Sequence, residues 1–353
     1  MNSSAYKTIL EGDKPYPVLP SDYCSIIEDP LEKSQIQKDY DFCQEAIDFI
    51  YNSCNHKNTK PKLYADPYKK ISARAKVERI IISRGVLDHV KKCIPPSQNE
   101  DNNIRNNSLF LNENDFSNLA LFWIVAHEYY HCYHDHHKLI DDYGNYYTGF
   151  EYDSDCCATL SLLRYVARKY GRTNSLDEIK EFSLYPIYWC VRTIMGENFG
   201  ELGNNKTHPS WHLRLHYAII KIAATCLPNA NYGMTPEYQS SLSKLQSTAI
   251  SYENDFLKKS KNQNGRNFLE YIYIENPIIN SVEHIKVMEA WDVVFPAMLR
   301  IRSEIPAILY RQFPRDYKNM DNIKPYGKKI NHYYKATYTS SRYNYIIKSF
   351  FMC

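Results

Sequence analysis

The sequence predicts a mainly helical fold with one small β-sheet, an α+β arrangement. Three observations point there. Long stretches repeat apolar residues at three- and four-residue intervals; one short β-branched run turns at a glycine into a further helix; and a run from Asn118 to His137 is apolar on all sides before it fills with histidines. With 353 residues the chain can bury a sizeable core, as one large domain or two ordinary ones.

Taken in order, residues 1–72 mix Pro, Asp, Lys and Tyr around one helix, "SQIQKDYDFCQEAIDFIYNSC", whose Ile36, Phe42, Ile47 and Ile50 follow a helical period. This N-terminal region is expected to cap the segment after it. Val77–Ser83 reads as a strand turning at Gly85 into a short helix, and opens a core expected to span residues 73–225. "PPSQNEDNNIRNNS", residues 95–108, is polar and Asn-rich, an expected surface insertion. From Ser117, a candidate N-cap, "NLALFWIVAHEYYHCYHDHH" reads as one helix, buried in its first half. A second helix, "EYDSDCCATLSLLRYVARKYG", stops at Gly171. Residues 176–300 read as helices broken at Pro186, Pro209, Pro228, Pro236 and Pro277, and residues 226–353 form a C-terminal helical region ending in a basic tail.

Composition narrows the class. The start "MNSSAYKTIL" lacks the basic and apolar parts of a secretory signal, and the apolar run Leu119–Ala126 is far short of the roughly 20 residues that span a bilayer. Ten cysteines without a CxxC pair fit a reducing compartment, so a cytoplasmic protein without a membrane partner is expected. The net charge of +3 comes from the tail: residues 311–353 carry nine Lys/Arg against two Asp, on an otherwise slightly acidic chain.

The chemistry lies in residues 127–155. His127 and His131 stand one helical turn apart, so both imidazoles leave the same face and can hold one Zn²⁺. Glu128 beside them can reach a zinc-bound water as general base. Such a motif arises by chance in about one chain in fifty of this length and composition, so a third ligand has to support it. Glu151 follows His131 by 20 residues, at the start of the next helix, and Asp155 shares its face, placed to bind the far nitrogen of a ligand imidazole. Rival readings remain open. The histidines could be a solvated helix end; His137 could be a third ligand in another spacing, although His134 stands where that pattern needs Gly; and Asp153 could replace Glu151, with Cys157 four residues later. His134 and His136 read as a solvated end or an extra metal site, and Cys156 and Cys157 as core packing.

In order, HExxH, a helix beginning ExxxD, and "THPSWHLR" at 207–214 resemble the gluzincin zinc metallopeptidases related to the CaaX prenyl and HtpX proteases. Among soluble members the chain is most similar to the Lit-type phage-exclusion peptidases, over roughly residues 77–220. The resemblance implies a zincin-like core with His127, His131 and Glu151 as zinc ligands, Glu128 as catalytic base and Asp155 behind the ligands. It adds His208 and Arg214 from the HPxxxxR segment, His208 as a donor to a developing oxyanion and Arg214 holding Asp155 or substrate. Ser154 stands where the family usually has Ala. The implied activity is endopeptidase cleavage of a cytosolic protein, in the Lit-type case a translation factor cut during phage infection.

The tail interleaves its charges with seven tyrosines, a composition that suits nucleic acid or ribonucleoprotein contact as well as plain solvated surface. Two alternatives follow: a repressor-cleaving regulatory protease, and a non-enzymatic zinc-stabilised protein that binds nucleic acid or ribosomes through this tail.

Overall fold

The computed structural model describes residues 17–53, 59–93, 113–171, 174–195, 208–225, 235–259, 267–270, 273–274 and 281–301. The 95–108 insertion and the 311–353 tail with its expected nucleic-acid contact lie outside them. Helices α1 (Pro20–Ser25) and α2 (Pro30–Ser53) precede strands β1 (Lys62–Asp66), β2 (Ala73–Lys76) and β3 (Arg79–Ser83) and helix α3 (Arg84–Val90). Then come α4 (Glu113–Tyr133), α5 (Ile140–Tyr143), α6 (Tyr147–Tyr170), α7 (Leu176–Cys190), α8 (Trp211–Ala224), α9 (Pro236–Lys259), α10 (Phe268–Glu270) and α11 (Val282–Ile301). The fold is mainly helical with one three-stranded sheet.

The single expected strand is part of a larger unit. Val77 and Glu78 are a hairpin turn rather than strand, with Glu78 in the left-handed region at φ 53°. The strand Arg79–Ser83 is central: the order is β1-β3-β2, with β1 parallel and β2 antiparallel to β3. Its Ile80, Ile81 and Ile82 are buried, as a central strand requires. β2 is an edge strand and lies along α4, where the Cys132 thiol donates to the carbonyls of Lys76 and Arg79 at 3.2 and 3.4 Å. Gly85 sits inside the first turn of α3, after the N-cap Ser83, and not at a turn that needs left-handed backbone. Its role is close approach, since a Cβ there would stand 2.3 Å from the Lys69 carbonyl oxygen.

α4 is buried on all sides from Leu119 to its end at Tyr133, because it lies between α2, α6, α7 and the β2 hairpin. It begins four residues before Ser117 and ends at Tyr133, earlier than the run of histidines suggests. Asp135 then adopts a left-handed conformation at φ 52°, which a short Asp side chain tolerates, and a tight turn at His136–Lys138 follows. α6 starts one turn before Glu151 and stops at Gly171 as expected. Pro186 does not break its helix but sits inside α7, whereas Pro236 opens α9 at a position where its missing N–H costs nothing. One cluster of buried side chains runs from Tyr23 in α1 to Met298 in α11. Among the described residues no helix is long and apolar enough to cross a membrane. The described cysteines are buried thiols, and burial pushes the Cys156 thiol up to about 12, in keeping with core packing.

Candidate active site

The side chains that the motifs single out come from three helices, α4, α6 and α8, and from the segment just ahead of α8. α4 and α6 run antiparallel, since partner numbers fall along α6 as they rise along α4: Trp123 meets Thr159, His127 meets Asp155, and His131 meets Glu151. The Nε2 atoms of His127 and His131 are 3.1 Å apart. Glu151 closes a triangle, with Oε2 3.4 Å from His127 Nε2 and Oε1 3.2 Å from His131 Nε2. Donors around one tetrahedral ion, at bonds near 2.0–2.2 Å, lie about 3.3–3.5 Å apart, so these two nitrogens and one carboxylate fit a single metal ion. The three residues are 7, 9 and 1 % exposed.

Behind the triangle, His127 Nδ1 stands 2.9 Å from Asp155 Oδ1 and donates to it, which leaves the Nε2 lone pair facing Glu151. Asp155 is gripped by Arg214 of α8, whose Nε and Nη2 donate to its two oxygens at 2.6 and 2.5 Å. Burial raises the pKa of Asp155, but Arg214 and His127 outweigh it and hold the carboxyl below its usual value. Burial alone would lower that of His127; Glu151 and Asp155 reverse this and raise it to about 10. The pocket therefore favours a positive charge between these groups, a proton or a metal ion.

Glu128, next to His127 and 8 % exposed, has its pKa raised by burial, with the two imidazoles pulling back only in part. His208 Nε2 lies 3.4 Å from Glu151 Oε2, and its side chain is 35 % exposed, so the group opens to solvent on that side. The segment ahead of α8 is pinned by Glu283 of α11, which accepts from the Ser210 backbone N–H and hydroxyl, each at 2.7 Å.

Two residues absent from the sequence reading join the site. Tyr147 lies one turn before Glu151 on α6, with its ring 6.0 Å from that of His208; burial, Glu151 and Glu128 all raise its phenol pKa. Its spacing of four from Glu151 was the available signal. Glu283 carried none, being distant in the chain. Asp153 does not join Glu151 but forms a separate buried group with His134 and His136. His134 and His136 are 0 and 1 % exposed, which corrects the solvated end offered for them and leaves the extra metal site as the standing alternative; the left-handed Asp135 turns the chain so that His136 faces inward. His137 is half-buried and belongs to neither group.

No curated protein and no solved structure matches the chain. A family model described as Peptidase U49 matches residues 43–229, from the middle of α2 past the end of α8, and so takes in every residue of the site except Glu283. That span is more than half of the chain, and the protein belongs to the Peptidase U49 family of peptidases.

Proposed function

We propose that the protein is a zinc-dependent endopeptidase acting on a protein substrate. The observation that carries the reading is the buried triangle of His127, His131 and Glu151 with Glu128 beside it and a carboxylate behind His127. A Zn²⁺ held there supplies a Lewis acid for the scissile carbonyl and for an attacking water. Glu128 takes the proton from that water and hands it to the leaving amide nitrogen; its burial raises its pKa and makes it the stronger base. His208 and Tyr147, on the open side, donate hydrogen bonds to the carbonyl oxygen as negative charge develops on it. Asp155 fixes the tautomer of His127, and Arg214 fixes Asp155. The edge strand β2, beside α4, offers its backbone for an extended substrate to pair with.

Elemental analysis of the purified protein should give one zinc, lost in folded His131→Ala and Glu151→Ala. Glu128→Gln should keep the metal while proteolysis falls by roughly 10²–10⁴-fold. Undiminished proteolysis by zinc-loaded Glu128→Gln would sink the mechanism. The Lit-type resemblance extends the proposal to cleavage of a translation factor during phage infection. Cells expressing the active form should then yield less phage than cells expressing Glu128→Gln, and equal yields would reject that extension.

A further inference from the structure

The group of His134, His136 and Asp153 has the makings of a second metal site. Its donors are buried, lie close together, and have the Met298 sulfur 3.1 Å from His136 Nε2. Its link to the first site argues for another use. His136 Nδ1 stands 2.9 Å from His131 Nδ1. A neutral imidazole has one proton, so an imidazole that binds a metal through Nε2 carries that proton on Nδ1. Were both rings metal ligands through Nε2, two N–H groups would face each other across this contact with no acceptor between them. Only one of the two rings can therefore be a ligand in this arrangement, unless one is deprotonated to imidazolate.

His131 is that ligand, because its Nε2 points at His127 and Glu151. The remaining protons then follow in sequence. His131 Nδ1–H donates to the lone pair of His136 Nδ1, which places the His136 proton on Nε2. His136 Nε2–H faces Asp153 Oδ2 at 3.2 Å, and the same oxygen accepts from His134 Nδ1–H. Every contact in the chain pairs one donor with one acceptor. The atom left over is His134 Nε2, which has no hydrogen-bond partner among the described residues and in this tautomer bears only a lone pair.

We propose that His136, Asp153 and His134 form a metal-free buttress that fixes the tautomer and ring orientation of His131, a positioning role resting on the reading of His131 as a zinc ligand. The two aspartates of "EYDSD" then have parallel duties. Asp155 holds His127 directly, while Asp153, about 200° round the helix from Glu151, serves His131 through one intervening imidazole. The turn after α4 must wrap past α6 for that reach, and the left-handed Asp135 starts it.

The test uses the full-length zinc-loaded protein with ¹⁵N-labelled histidine. One zinc per chain and a neutral His136 protonated at Nε2 are expected in the metal count and the nitrogen spectrum. Two zincs per chain, or a His136 protonated at Nδ1, would overturn the buttress while leaving the first site standing. No zinc at all would overturn the peptidase mechanism, and the buttress with it. Variants separate positioning from bulk: folded His136→Phe should weaken zinc binding by roughly 10–100-fold. His136→Asn, whose amide oxygen replaces the Nδ1 acceptor, should recover most of that loss. Equal zinc affinity in His136→Phe and wild type, or no recovery in a folded His136→Asn, would refute it.

Discussion

The Arg214–Asp155 pair shows how much of the site rests on single residues. Both are buried, at 6 and 1 % exposure, and the guanidinium meets the carboxylate with two hydrogen bonds. Removing one partner strands the other charge away from water, so Arg214→Met should cost about 3–5 kcal/mol in denaturant unfolding. Arg214→Lys should recover little of it, since an ammonium cannot reproduce the two-pronged contact. A loss under 1 kcal/mol for Arg214→Met would mean the pair is not sealed from solvent. Residues of this kind were legible where helical period alone decides neighbours: His127 and His131, or Glu151 and Asp155, need only a turn of α-helix to share a face. His136 and Asp153 were not legible, because their meeting depends on one left-handed residue at Asp135, and Asp adopts that backbone without any pattern to announce it.

At the scale of elements, the site depends on how closely α6 can approach α11. Gly149, two residues before Glu151, faces Ala290 and Val294, and a Cβ on it would stand 2.9 Å from the Ala290 backbone carbonyl. Gly149→Val should therefore push the helices apart, at roughly 1–3 kcal/mol, and, on the proposed zinc site, weaken metal binding as Glu151 moves with α6. Gly144→Ala is the matched control, since nothing lies within 4 Å of its added Cβ, and it should leave melting temperature and zinc affinity unchanged. Comparable losses in both would show that the region is sensitive to any change and that the contact with α11 is incidental. The helices themselves were legible as elements, α4 by its all-round apolarity and α6 by its glycine stop. The sheet was only partly so. β3 announces itself with three consecutive isoleucines, whereas β1 and β2 are short and carry Lys, Asp and Arg, so the central place of β3 appears only once its partners are seen.

At the scale of the whole molecule, the histidines away from the site set how folding responds to acid. His216 of α8 is 6 % exposed, lies among Tyr217, Tyr273 and His284, and has neither ring nitrogen hydrogen-bonded among the described residues. Burial lowers its pKa to about 3, and His284 and His212 push the same way. In the unfolded chain the same imidazole titrates near 6.5. Between those values the unfolded state binds a proton that the folded state refuses, so stability present above pH 6.5 is lost as pH falls, at about 1.4 kcal/mol per pH unit. From pH 7.5 to 5 this one group should remove about 2 kcal/mol. His216→Leu abolishes that contribution, and whatever the substitution costs in packing is the same at both pH values and cancels in the comparison. Urea unfolding of chelator-treated wild type and His216→Leu at pH 7.5 and 5 measures the difference directly, without release of any bound metal at low pH entering the balance. A variant that loses as much stability as wild type over that interval would show that His216 takes up its proton in the folded state, and that the core around α8 opens to water before the protein unfolds.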